Sequence, residues 1–198
     1  MGNAGSRTLA APADFRRAVA GLGGHGLRAG TEIGELPSPT QLAPYTHAVS
    51  VAVNDDDGDP AASGRLILLH DPDGVDAWEG TFRVVAFGTC EIDTDMAADA
   101  LLPEVAWSWL TERLAAHGVD YRALGGTVTI TSSNRFGDIA GPPRINELEL
   151  RASWTAETPD TTPHLAAFAD FLATAAGLPP EGVAAIRDQG HPFAARRV

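Results

Sequence analysis

Apolar and polar residues alternate along much of the chain, and the period of the alternation predicts its elements. Between Tyr45 and Val53, the residues Val49, Val51 and Val53 alternate with Ser50 and Ala52, the pattern of a half-buried strand. Arg65 to His70 is a nearly continuous apolar run, which predicts a strand covered on both faces. Thr81 to Ile92 predicts the longest strand. Phe82, Val84, Ala86, Cys90 and Ile92 point one way, and Thr81, Arg83, Val85, Phe87, Thr89 and Glu91 the other. Gly88 suggests a bulge in it. Later, Val128 and Ile130 alternate with Thr127, Thr129 and Thr131. Leu148, Leu150, Ala152 and Trp154 alternate with Glu147, Glu149, Arg151 and Ser153. Asn54–Pro60 and Asp71–Gly74 have the composition of turns.

Three stretches have helical spacing instead. Pro12–Leu22 is a short helix with Phe15, Val19 and Leu22 on one side. Leu101–Leu114 is the best defined: Pro103 suits a first turn, Arg113 and His117 suit the negative end of the helix dipole, and Gly118 is a stop. Leu102, Val105, Ala106, Trp109, Leu110 and Leu114 share its face, so this helix is expected to be the one on which the sheet folds, with Trp109 and Trp154 largely buried. The third begins with Thr162 as N-cap and Pro163 in the first position. It carries Leu165, Phe168, Leu172, Ala175 and Ala176, and ends at Gly177. Glu32–Pro44, with Pro37, Pro39 and Pro44, is expected to lie along the domain without forming an element, and Thr155–Thr161 is expected to be a polar linker. The expected order is α–β–β–β–α–β–β–α: an α+β domain with an antiparallel sheet of about five strands and helices mainly on one face. It would span residues 12–187, between a disordered stretch at 1–11 and a flexible tail at 188–198.

Composition narrows the function classes. All 14 basic residues are Arg, and the net charge of −12 leaves no general basic footprint for nucleic acid or for an anionic membrane. No run approaches the ~18 apolar residues of a membrane span. No apolar segment follows Arg7, so no signal peptide is expected. The single Cys90 fits a reducing compartment, and a cytoplasmic setting is the expectation.

Candidate chemistry is sparse. Asp55-Asp56-Asp57-Gly58 has the wrong spacing for a calcium loop, since the twelfth position would be Gly64, and it reads as a solvated turn. No histidine pair or cysteine pair has zinc spacing, and no phosphate loop, dinucleotide fingerprint or nucleophile elbow is present, so neither metal nor cofactor is expected. Cys90 shares the inward side of its strand and reads as a buried thiol. His70 and Asp71 at a strand end, with His47 and Glu79, would make an acid/base cluster if the fold brought them together, and they read otherwise as edge or turn residues. Arg113 projects near the middle of its helix's apolar arc, where a ligand carboxylate could be clamped or the side chain could snorkel at the helix end. The outward faces of two strands place Val85 and Phe87 among Arg83, Glu91, Glu149 and Arg151. That pattern fits a wet sheet face with cross-strand charge pairs, and it fits an interface with an apolar centre.

Several segments resemble the bacterial domain of unknown function 3000: Pro37-Ser38-Pro39 with Leu42-Ala43-Pro44-Tyr45, Gly64 through Pro72, Trp78-Glu79-Gly80-Thr81-Phe82-Arg83, Met96-Ala97-Ala98-Asp99 with Leu101 to Leu110, Leu148 through Trp154, and Thr174 through Pro179. The resemblance covers roughly residues 12 to 185. The family is found in high-GC Gram-positive bacteria, and it implies no activity and no catalytic residues. The element order also looks like that of small acidic secretion chaperones, an analogy of fold alone. The leading expectation is a non-catalytic, acidic, homodimeric protein-binding domain that works through Val85, Phe87, Arg83, Glu91, Glu149 and Arg151. The alternative is a small-molecule enzyme or ligand-binding protein with a site near His70, Asp71, Glu79 and Arg113.

Overall fold

The computed structural model describes residues 11–139, 141 and 144–180. Six strands form one antiparallel sheet: β1 (Thr31–Leu36), β2 (Tyr45–Asn54), β3 (Pro60–Val75), β4 (Gly80–Ile92), β5 (Tyr121–Asn134) and β6 (Arg144–Ala156), in the spatial order β1-β2-β3-β4-β6-β5. The helices are α1 (Ala13–Gly21), α2 (Thr94–Ala98), α3 (Leu102–Ala116) and α4 (Thr162–Ala175). The α+β class and the antiparallel sheet are as the alternation predicts. The expected disordered residues 1–10 and the expected tail 188–198 lie outside the described residues.

The strand count is a correction: six, not about five. β1 has Ile33 as its one inward-facing aliphatic residue, so its side chains carry almost no strand signal. Its ladder to β2 holds it, from Thr31 opposite Val53 to Leu36 opposite Ala48. The longest strand is β3, with 16 residues, not β4, with 13. Asp71–Gly74 is no hairpin turn. It is an irregularity within β3, where the register shifts between His70 and Val75, and the chain reverses at Asp76–Glu79. Arg65 is exposed and Ile67 half-buried, so β3 is not covered on both faces along its length. Its Leu69 is covered. The register partner of Leu69 on the same outer face is Thr46, which donates a 2.6 Å hydrogen bond to the Pro39 carbonyl and so draws the proline segment over that corner. β6 runs on into the expected linker as far as Ala156.

The helices and the core lie on the inner face. There Phe82, Val84, Ala86, Gly88, Cys90 and Ile92 are all buried, and the register of β4 against β3 runs unbroken past Gly88. Gly88 is therefore not a bulge. It sits opposite Gly64 in the ladder, and the pair makes a flat bed for α4. A Cβ at Gly88 would come within 2.8 Å of Leu172, and one at Gly64 within 2.7 Å of Phe168. This close approach puts α4, not α3, at the centre. Its buried residues run round nearly the whole helix: His164, Leu165, Ala167, Phe168, Ala169, Phe171, Leu172, Ala173 and Ala175.

α3 packs against α4 and β5. Its buried row is Leu102, Ala106, Leu110 and Leu114, one i, i+4 line. Val105 is exposed and Trp109 only half-buried, so the broad apolar arc expected there is narrower, because α3 flanks the core instead of filling it. Trp154 is fully buried. At the start of α4 the N-cap is Thr161, whose hydroxyl donates to the Ala18 carbonyl of α1. The Thr162 amide donates to Asp160, and Pro163 follows in the first turn.

Candidate functional site

Among the described residues the four helices pack on the inner face, and at the middle of the outer face stands Phe87. The register places Arg65 of β3 and Arg151 of β6 directly on either side of it. Both guanidinium groups lie over its ring, at 4.7 Å and 5.4 Å from the centroid, within cation–π range. Arg151 also donates to Glu149 at 2.6 Å, which raises the pKa of Arg151. One pair nearer the β3–β4 turn, Ile67, Val85 and Ser153 lie side by side, with Ile67 and Val85 half-buried.

Arg83 comes next along β4. It donates to the Ala123 carbonyl at 2.9 Å, to the Ser153 hydroxyl at 2.7 Å and to the Thr155 hydroxyl at 3.2 Å. All three partners are neutral. Burial pushes its pKa down, since no carboxylate compensates the lost hydration. The arrangement depends on the irregularity of β5, whose register shifts between Arg122 and Gly125 and whose Ala123 takes a positive φ of 49°. That shift turns the Ala123 carbonyl toward Arg83. Toward the other end of the face lie Glu91 opposite Glu147, and Glu149 opposite Thr89. The outer face is thus polarised along its strands: Arg83 at one end, Arg65 and Arg151 level with the aromatic centre, and Glu91, Glu147 and Glu149 toward the other end.

The expected patch residues therefore share one face, and Arg83, Val85, Phe87, Glu91, Glu149 and Arg151 are all on it. Sequence reading missed Arg65 and Ile67. Their signal was the antiparallel register, which sets the second strand of a hairpin against the first residue by residue.

The alternative cluster is not assembled. His70 is buried on the inner face, stacked on Phe82 at 4.1 Å and on Phe15 at 5.9 Å, with Nδ1 at 3.0 Å from the Thr81 carbonyl. Asp71 accepts from the Asp73 amide in the β3 irregularity. Glu79 occupies the left-handed turn position, φ 59°, and is exposed. Arg113 lines a separate cavity of about 430 Å³ with Arg28, Asp170, Thr174 and residues 177–180. The Nε atoms of Arg113 and Arg28 are both buried without a hydrogen-bond partner, while Asp170 is engaged by His117 at 2.8 Å. Arg28 and Asp170 come from segments that carry no local motif.

Cys90 is buried, and burial with the nearby Glu147 pushes its thiol up to about 11, well away from thiolate reactivity. Among the described residues no three His, Cys, Asp or Glu side chains are grouped to hold a metal ion.

The family model of a protein of unknown function, DUF3000, matches residues 11–184. The chain belongs to this family. The match runs from two residues before α1 to nine residues beyond α4, so it takes in the whole sheet and both candidate surfaces. No match is found among curated proteins or among solved structures. Among the described residues no helix of this DUF3000 member is long and apolar enough to cross a membrane.

Proposed function

We propose that the chain is a non-catalytic, acidic protein-binding domain, adaptor-like or chaperone-like, acting as a homodimer in the cytoplasm. It takes a segment of a partner protein on the outer face of the sheet. The observation that carries this reading is the Arg65–Phe87–Arg151 stack on a face that no helix covers among the described residues. An aromatic ring held between two cations, next to half-buried Val85 and Ile67, has the make-up of an interface centre, where aromatic and Arg side chains concentrate binding energy. Arg83 and Arg65 have no ion pair among the described residues, so the arginine side favours carboxylates. The fitting partner segment presents an apolar side chain to Val85 and Phe87, with acidic groups flanking it.

Phe87→Asp tests this reading. It removes the apolar centre and puts there a carboxylate that ties up the flanking Arg65 and Arg151, without touching the inner core, so folding by circular dichroism is expected to persist. Capture of the partner by the tagged protein in its host should weaken about 30-fold or more, the equivalent of ~2 kcal/mol at a hot spot. A folded variant that retains every partner of the wild type would defeat the reading.

A second reading rests on the cavity at Arg113. Two arginines with buried, unpaired Nε atoms favour a small anion such as a carboxylate or phosphate. Its test is calorimetric titration of small dicarboxylates and inorganic phosphate into wild type and Arg113→Ala. This reading requires saturable binding that the substitution abolishes, and heats equal in the two proteins would dismiss it.

A further inference from the structure

Exposed sheet edges invite pairing with another chain, and proteins ordinarily blunt them with charge, proline, bulges or short length. The β1 edge is blunted: it has six residues, includes Glu32 and Glu35, and is followed by Pro37. The opposite edge is not. β5 has 14 residues, and from Gly125 to Asn134 it holds no charge and no proline. Beside it, the side of α3 that faces β5 presents half-buried Trp107. A groove of about 300 Å³, lined by Pro103, Glu104, Trp107, Gly126 and Val128, runs between α3 and β5. Among the described residues, an open row of backbone donors and acceptors and a groove lined by Trp107 and Val128 therefore lie side by side.

We propose that β5 pairs antiparallel with β5 of a second copy of this chain, about a two-fold axis near Thr129. The choice of a second copy follows from the sequence of the edge, which is its own complement. With Thr129 on the axis, Val128 falls opposite the partner's Ile130, and Thr127 opposite the partner's Thr131. Val128 and Ile130 are half-buried on the inner face, and Thr127, Thr129 and Thr131 are exposed on the outer face. The pairing makes apolar contacts below and Thr–Thr contacts above, both favourable cross-strand combinations. It brings the Trp107 side of α3 in each copy toward the same seam, and it joins two six-stranded sheets into one. The contact is isologous and closes on itself. It leaves the Phe87 face of both copies open, so it does not depend on the partner-binding reading.

The test is light scattering on the full chain, with variants at the edge and on the face. Thr129→Lys combined with Thr131→Lys puts each new cation opposite a glutamate of β6, Glu149 and Glu147, so the monomer fold is favoured while the edge is charged. Wild type is expected at twice 20.6 kDa and the double-lysine variant at 20.6 kDa, with circular dichroism unchanged. Thr129→Cys is expected to form a reducible inter-chain disulfide, because opposed residues in an antiparallel pair lie about 4.5–5.5 Å apart at Cα, within disulfide reach. Phe87→Asp should keep the dimer mass. A monomeric wild type overturns the proposal, and so does a dimer that survives the double-lysine change. If that surviving dimer dissociates with Phe87→Asp, the self-contact belongs to the outer face.

Discussion

Trp154→Ala is expected to lower the unfolding free energy by about 3–5 kcal/mol, the range for deleting a fully buried large aromatic side chain. Trp154 is completely inaccessible and lies on the inner face of β6, opposite Val84 of β4. Its indole N–H donates a 2.8 Å hydrogen bond to Nδ1 of His164 on α4, and the two rings stack with centroids 6.2 Å apart. The substitution opens a cavity under the central helix and removes the donor that pairs the buried His164 acceptor, and both effects act in the same direction. Trp109→Ala should cost less, because that side chain is half-buried on the flank of α3. Chemical denaturation of the two variants side by side checks the pair. Equal midpoints would mean that the core does not rest on α4 as the packing indicates.

The two tryptophans show what the sequence made legible. Both continue an apolar stripe, so stripe membership alone predicts burial for both. For Trp154 the stripe belongs to an interior strand, whose inner side must be covered wherever it points. For Trp109 it belongs to a helix, and a helix buries only the arc that its neighbours occupy. Which helix lies centrally was set by Gly64 and Gly88, two positions without side chains that a hydrophobic pattern passes over. The same blindness hid β1. Its pairing is made by backbone groups, and backbone groups are identical at every residue.

The candidate surfaces divide in a similar way. Strand alternation placed Val85 and Phe87 outward, since that follows from period two alone. It could not supply Arg65, because cross-strand neighbours depend on register, and the Asp71–Gly74 irregularity lies between the two strands. His70 looked like a member of an acid/base cluster because it ends an apolar run next to Asp71. The register of β3 turns it inward, into an aromatic stack with Phe15 and Phe82, where its chemistry is that of packing. Arg113 was legible as an unusual cation on an apolar arc. The partners it meets, Arg28 and Asp170, are more than fifty residues away in sequence, and only the folded chain brings them together.

Acid is expected to destabilise this fold through one histidine. His164 is 2% exposed, and burial pushes its pKa down to about 4 from an ordinary 6.5, against a smaller upward pull from Asp160. Its Nδ1 accepts from Trp154, so protonation there would set one donor against another. The folded pKa lies below the unfolded one, so between about pH 6.5 and pH 4 the unfolded chain binds the proton first. Stability contributed by neutral His164 is then complete above the unfolded value and is lost as pH falls toward the folded value. At 1.36 kcal/mol per unit the loss is about 3 kcal/mol over this window. Acid acts on more of the chain than this one side chain, so the informative quantity is the difference between wild type and His164→Asn. The asparagine amide oxygen can still accept the Trp154 hydrogen bond but does not titrate. Urea midpoints measured from pH 7 to pH 4 should therefore fall more steeply for wild type than for His164→Asn. The variant is expected to be the weaker protein at pH 7 and to close most of the gap by pH 4. Parallel curves would show that His164 keeps an ordinary pKa in the fold, and that the α4–β6 contact admits water.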